Sequence, residues 1–482
     1  MGESRMLIDG KLVDSAKTFE NINPATEEVI GVTSDAGVEE ADQAVGAARR
    51  AFDDTDWTRD HAFRRRCLEQ LQAALREASD ELRTALVAES GAPVGLTYNA
   101  WMDYPIDWIS QYAELAETYE FESPLPETDA YGGKHRGLRI REPNGVVAAI
   151  TPFNLPVFLN LAKIAPALAA GCTIVLKPSP DTPWAATIMG RLIAEKTDIP
   201  AGVINIVPSS GSAVGEVITT DPRVDMVSFT GSTATGRKIM AAGADSVKKV
   251  FLELGGKSAN IVLDDADFMT AVMMAPINAC VHAGQGCAFY TRLLLPRSRY
   301  EEGLQLATMA FGSVPYGDPS DMSVLAGPLI NARQRDKVLD YIEKGKADGA
   351  RLLAGGGRPA HLEKGYYVEP TLLADVDPDS SIAQEEIFGP VLVVIGYEDD
   401  ADAIRIANNS IYGLSGAVWS GSEERALDVA RRIRTGTLSV NGSHWSDVTR
   451  AFGGYKQSGN GREWGIEGFE EYLETKIVAL PG

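Results

Sequence analysis

Between residues 146 and 263 the chain alternates short apolar runs with helical patterns, and this alternation restricts the fold more than any other feature. Strand-like runs fall at 146–151, 173–177, 203–207, 226–230 and 249–253. Helical patterns open at Pro156, Thr182, Ser212 and Thr233, residue types suited to a helix start. Runs that are short, apolar throughout and joined by helical crossovers belong in a sheet covered on both faces. The prediction is an α/β protein with a Rossmann-like, doubly wound parallel sheet. Such sheets take ligands at the carboxyl ends of their strands. The unusual residues of the chain cluster at those ends, at 151–154, 177–180, 229–232 and 253–256.

The flanking regions read more simply. Residues 7–30 alternate as short strands, while 38–52, 64–90 and 101–119 carry helical spacing, the last with Trp101, Tyr104, Trp108, Tyr112 and Tyr119. Residues 122–126 read as a linker, and 135–142 and 472–480 alternate like exposed strands in want of a partner. After Gly255-Gly256 a second α/β region begins. Its strands and loops fall at 260–263, 293–296, 321–328, 366–370, 391–396 and 413–420, with a long segment at 267–287.

At 482 residues the chain is long enough for two to four domains. A formal net charge of −22 disfavours nucleic acid, whose phosphates need a basic patch. Four cysteines, Cys67, Cys172, Cys280 and Cys287, are too few for a disulfide framework in so long a chain. No apolar run reaches membrane-spanning length and the start lacks a signal-peptide core, so the expectation is a cytoplasmic protein without a membrane partner.

The chemistry centres on Cys287, set between Gly284-Gln285-Gly286 and Ala288, small neighbours that leave a thiol reachable. An ordinary thiol is mostly protonated at neutral pH, so a nucleophilic cysteine needs a base or a lowered pKa. Glu253 interrupts an apolar strand before two glycines, a setting that desolvates a carboxylate and raises its pKa toward that of a general base. Asn154 is either an oxyanion donor beside the Cys287 amide or the cap of the next helix. The turn at Gly231-Ser232 offers N–H groups and a positive dipole end to a pyrophosphate. Two other readings use the same stretch: Cys280, His282 and Cys287 as soft metal ligands lacking a fourth, and His282 with Cys287 as a hydrolase dyad.

Phe229-Thr230-Gly231-Ser232-Thr233, Leu252-Glu253-Leu254-Gly255-Gly256-Lys257, Gly284-Gln285-Gly286-Cys287 and Glu385-Glu386-Ile387-Phe388-Gly389-Pro390, in that set and order, resemble the aldehyde dehydrogenase superfamily almost end to end. The resemblance implies a nucleotide-binding domain at 1–122 and 145–255 and a catalytic domain at 256–460. It also implies a small β oligomerisation arm at 123–144 and 466–482, making a homodimer or homotetramer. It implies oxidation of an aldehyde to the acid through a cysteine adduct and thioester, the hydride passing to NAD, and no metal. Cofactor-contacting positions would be Thr151, Pro152, Phe153, Lys177 at the adenosine ribose, Ser179, Pro180, Gly211, Phe229, Thr230, Gly231, Ser232, Leu254, Gly255, Glu386 at the nicotinamide ribose, and Phe388. Pro180 stands where many NAD-specific members carry Glu, so NADP is not excluded. Phe153 replaces a usual Trp and Ala451 a usual Pro. Glu463 and Lys163 match a proton relay, with surface pairing as the alternative. Leu155, Trp108, Val281, Trp445 and Phe452 would line an apolar pocket for aromatic or medium-chain aliphatic aldehydes, unless Arg450 or the 136–141 segment points inward. Within the family the alternative is acylation of coenzyme A, disfavoured by Glu253. Outside it, the alternative is a retired enzyme kept as a binding or structural protein.

Overall fold

The computed structural model describes residues 2–481, so Met1 and Gly482, the ends of the first and last expected segments, lie outside the described residues. Eight strands form the first sheet, in the order Gly459–Asn460, Lys249–Glu253, Met226–Thr230, Val146–Ile150, Thr173–Lys177, Ile204–Ile206, Met6–Ile8 and Lys11–Val13. The middle five run parallel. Val, Ile, Leu and Ala fill them, and Thr173–Lys177 and Met226–Thr230 are buried at every position, as a sheet covered on both faces requires. One expected strand closes a residue early at Ile150, and another is trimmed at both ends to Ile204–Ile206.

The crossover helix Pro156–Ala170 is buried along its whole length, packed between the sheet and the helices His61–Glu77 and Asp103–Thr118. The expected helical run 64–90 is broken at Ala78 into His61–Glu77 and Ser79–Ser90.

The second sheet has seven strands, in the order Arg351–Ala354, Thr371–Ala374, Val391–Tyr397, Tyr290–Pro296, Ser258–Val262, Gly416–Trp419 and Ser439–Val440. Residues 366–370 are irregular rather than extended, and the strand starts only after Pro370, whose missing N–H cannot join a ladder. The long segment 267–287 becomes the helices Phe268–Met273 and Ala275–Cys280, followed by the tight turn Val281–Gly284.

A separate three-stranded antiparallel sheet joins Leu473–Pro481, Gly133–Pro143 and Glu122–Ala130. The expected linker 122–126 is therefore a strand. Its prolines are tolerated because it lies at the sheet edge and a register shift between Leu125 and Thr128 absorbs Pro126. Among the described residues no helix is long and apolar enough to cross a membrane.

Candidate active site

A cavity of about 320 Å³ opens beside the carboxyl edge of the first sheet, with Cys287, Glu253 and Glu463 in its wall. The Cys287 loop is brought there by glycines that allow backbone to touch backbone. A Cβ on Gly256 would sit 2.3 Å from the Cys287 carbonyl oxygen, and one on Gly284 2.1 Å from the Gly389 carbonyl oxygen. Gly284 also follows two left-handed residues, His282 (φ 51°) and Ala283 (φ 54°), so the chain turns sharply before the thiol. Burial pushes the Cys287 thiol up from its ordinary pKa, and the carboxylates Glu386, Glu253 and Glu463 push in the same direction. The resting sulfur is therefore a protonated thiol that needs a base.

Glu253 ends the strand Lys249–Glu253, is 2% exposed, and has no hydrogen-bond partner on either oxygen. Burial and then the charge of Glu463 raise its pKa well above the usual carboxylate range, against the pull of Lys163. With no well-formed hydrogen bond on either oxygen and the Gly454 backbone N–H the one donor acting on it, this carboxyl group stands in the cavity wall able to take a proton. Asn154, 3% exposed, donates from Nδ2 to the Gln285 carbonyl oxygen at 3.0 Å, two residues before Cys287. It is not the cap of the next helix, which follows Leu155 and has no side-chain cap.

Lys163 and Glu463 form an ion pair of 3.0 Å, the side chains 0% and 2% exposed. Lys163 also donates to Ser228 Oγ at 3.1 Å, and backbone bonds of 2.7 and 2.6 Å tie Glu463 to Phe452. The surface-pairing alternative is thereby overturned. Removing one partner of a buried pair leaves the other charge uncompensated, so Lys163→Met should lower unfolding free energy by about 3–5 kcal/mol. Urea melts of the variant check this, and adding Glu463→Gln should restore much of the loss.

Along the sheet edge, Glu386 Oε1 accepts from Gly256 N at 2.8 Å, and burial raises its pKa. Its other oxygen lies 2.6 Å from where a Gly255 Cβ would stand. Leu254 packs into the core, its side chain 2.6 Å from where a Gly236 Cβ would be. Next comes Gly231, where a Cβ would strike the Phe229 ring at 2.5 Å, and Ser232, which caps the helix Thr233–Gly243. The buried Thr230 Oγ1 has no partner. Thr151, Pro152 and Phe153 follow the adjacent strand, the Phe153 ring meeting Phe388 edge-on at 5.8 Å. At the far end Lys177 donates to the Ser209 and Pro178 carbonyl oxygens (3.2 and 3.4 Å), and burial lowers its pKa to about 8. Ser179 and the half-buried Pro180 follow it, and a Cβ on Gly211 would meet nothing within 4 Å. Four strand ends span about 14 Å at the usual strand spacing. Glu386 and Lys177 thus frame a helix N-terminus and an unpartnered hydroxyl, a donor set suited to an extended dinucleotide.

Leu155, Trp445 and Phe452 line the cavity, the last two stacked at 5.3 Å. Trp108 does not: it stands one layer back, edge-on to Phe158 (5.7 Å) and Trp464 (5.3 Å), which take the inner face. Val281 sits in the turn before the thiol, outside the wall. Sequence reasoning missed Phe158, Leu159, Phe289, Tyr290, Trp464, Met274 and Asn278. Leu155, Phe158 and Leu159 are spaced i, i+3, i+4 around the start of one helix, a signal that could have found the second and third. No Lys or Arg lines the cavity. Arg450 donates instead to the His444 carbonyl oxygen at 3.0 Å, and 136–141 belongs to the separate three-stranded sheet. Cys280, His282 and Cys287 are not gathered as ligands: among the described residues no group of three or more His, Cys, Asp or Glu is placed to hold a metal. The His282 ring is edge-on to Trp101 at 6.1 Å, with burial lowering its pKa to about 4.

A doubly wound sheet with a thiol and a buried carboxylate at its carboxyl edge puts reactive groups where such sheets bind nucleotides. The aldehyde dehydrogenase family model matches residues 12–478. The chain is 46% identical, over 98% of its length and 97% of the relative's, to 3-succinoylsemialdehyde-pyridine dehydrogenase of a Pseudomonas species. An aldehyde dehydrogenase of Mycobacterium tuberculosis, crystallised with NAD+, superposes with TM-score 0.95 at 41% identity, over 100% of this chain and 99% of that one. A cysteine-to-alanine variant of aldehyde dehydrogenase C of Pseudomonas syringae, crystallised with NAD+ and octanal, superposes at 0.93 with 39% identity, covering 99% and 96%. This chain belongs to the aldehyde dehydrogenase family and is an oxidoreductase.

Proposed function

We propose that the enzyme oxidises an uncharged apolar aldehyde, aromatic or medium-chain aliphatic, to its carboxylic acid with NAD+. The observation that carries the reading is one cavity holding a thiol and an unpartnered buried carboxylate, its remaining wall largely apolar, rich in aromatic rings and free of Lys and Arg. The names of two relatives, one acting on a pyridine semialdehyde and one holding octanal, support the same class.

Cys287 Sγ attacks the carbonyl carbon after losing its proton to water. The oxyanion is held by the Cys287 backbone N–H and by Asn154 Nδ2, which exchanges its bond to Gln285 for the oxyanion. Lys177, the Ser232 turn and Glu386 would hold NAD+, which would accept the hydride that the adduct carbon gives up as its oxyanion closes to the carbonyl of an acyl group on sulfur. Glu253 then takes a proton from the water that attacks the acyl group on sulfur, releasing the acid. Glu253 favours hydrolysis over transfer to coenzyme A. Lys163 and Glu463 carry protons away from Glu253.

Residues 1–122 and 145–255, which carry all of the first sheet except its edge strand Gly459–Asn460, are the nucleotide-binding domain, and 256–460 is the catalytic domain. The segments 123–144 and 466–482, between them carrying most of the three-stranded sheet, are an arm that pairs with a neighbouring copy in a cytoplasmic dimer or tetramer; the two unpaired edges of that sheet support this.

An aldehyde panel followed by reduced-nicotinamide absorbance tests the substrate class. Octanal and benzaldehyde should exceed succinate semialdehyde in kcat/KM by about 100-fold, because a carboxylate there would be desolvated without a cation to meet it. Equal use of all three would defeat the assignment.

A further inference from the structure

Pro180 leaves the Lys177 end of the sheet edge without the acid expected there for NAD selectivity, yet a carboxylate reaches this end from another part of the chain. Asp35 follows the strand Val29–Ser34 and precedes the helix Val38–Asp54. It accepts from Ser210 N at 2.8 Å and Ser210 Oγ at 2.6 Å, and Ala36 N donates to the Pro208 carbonyl oxygen at 2.9 Å. The same loop supplies Lys177 with its acceptor, the Ser209 carbonyl oxygen. Asp35 and Lys177 thus hold successive residues of one loop, and Asp35 is the charge that opposes the loss of the Lys177 proton. Asp35 is half-buried, and Gly211 beside the loop borders open space. The other nearby acid, Asp181, is engaged elsewhere, accepting from Asn331 Nδ2 at 3.1 Å with Arg333 as its charged neighbour.

We propose that Asp35 makes this enzyme select NAD+ over NADP+, in the role that Pro180 cannot fill. The inference rests on the cofactor reading above, with the adenosine ribose at Lys177. Lys177 alone would attract the dianionic 2′-phosphate of NADP+. With Asp35 on the same loop the local charge is balanced, and the phosphate must approach a carboxylate that already accepts two bonds and has no proton to give. The 2′-hydroxyl of NAD+ carries no charge and meets no such penalty.

Calorimetric titration of the full-length protein with NAD+, NADP+ and 2′,5′-ADP, at low and at physiological salt, reads this without turnover. Asp35→Asn keeps an acceptor oxygen for Ser210 while removing the charge. The wild type should bind NAD+ about tenfold or more tighter than NADP+. The variant should hold NAD+ within about twofold and bind NADP+ and 2′,5′-ADP about tenfold tighter, the gain shrinking as salt rises. Equal weakening of both dinucleotides would show that Asp35 only braces the loop and would overturn the inference. A wild type that binds NADP+ as tightly as NAD+ would do the same. Binding of neither would overturn the cofactor reading itself, and the inference with it.

Discussion

Cys287→Ala should lower aldehyde turnover by about 10⁴-fold or more, with the fold and NAD+ binding retained. The sulfur is the one thiol among the residues lining the cavity, on a loop whose glycines press its backbone against both Gly256 and the Gly389 segment. Its removal disturbs little packing, because Cys287 is only partly buried at the margin of the aromatic cluster. Steady-state rates and a thermal melt of the same preparation separate loss of chemistry from loss of fold. The pH dependence of the wild type has a defined sign. Burial and three carboxylates raise the thiol pKa, so the reactive thiolate is scarce at neutral pH and increases with each proton removed. The acylation rate should therefore climb between about pH 7 and 9. Undiminished turnover in the alanine variant would remove the basis of the mechanism.

The parallel core of the first sheet was legible because strands buried on both faces are written as uninterrupted apolar runs. Thr173–Lys177, Met226–Thr230 and Lys249–Glu253 have the same limits in sequence and structure. Where tertiary context overrides local signals, reading failed. Pro124 and Pro126 argue for a linker locally, yet pairing with Gly133–Pro143 supplies a strand to an edge that tolerates them. At the site, Cys287 and Glu253 stand out because each is chemically odd among its neighbours in the chain. Phe158 and Trp464 do not: they are apolar residues in apolar or ordinary surroundings, 306 positions apart, and only the folded chain brings their rings to 5.3 Å. Their contact displaces Trp108 from the wall, which no periodicity could reveal. Asp35 escaped for a related reason, since its meaning depends on a loop 175 residues away.

Glu253→Gln should slow steady turnover by about 10²–10⁴-fold while one equivalent of reduced cofactor still forms rapidly per site. The two rates come apart because the carboxylate, with both oxygens unpartnered, is assigned to activating the water that clears the acyl group from sulfur. Stopped-flow absorbance resolves the burst from the slow phase. Stability supplies an independent control with an opposite sign. A carboxyl group whose pKa is raised on folding contributes stability below its unfolded pKa and loses it as pH rises through the folded value. Replacing it with a neutral amide removes that loss, so the variant should melt no lower than the wild type at pH 8. A fall in activity together with an equal or higher Tm then cannot be unfolding. Added coenzyme A sharpens the distinction: if thiol transfer were the true second step, it would relieve the wild type as much as the variant. If burst and steady rate instead fall by one common factor, Glu253 acts before the acyl group forms, as the base for Cys287, and water must be activated by another group.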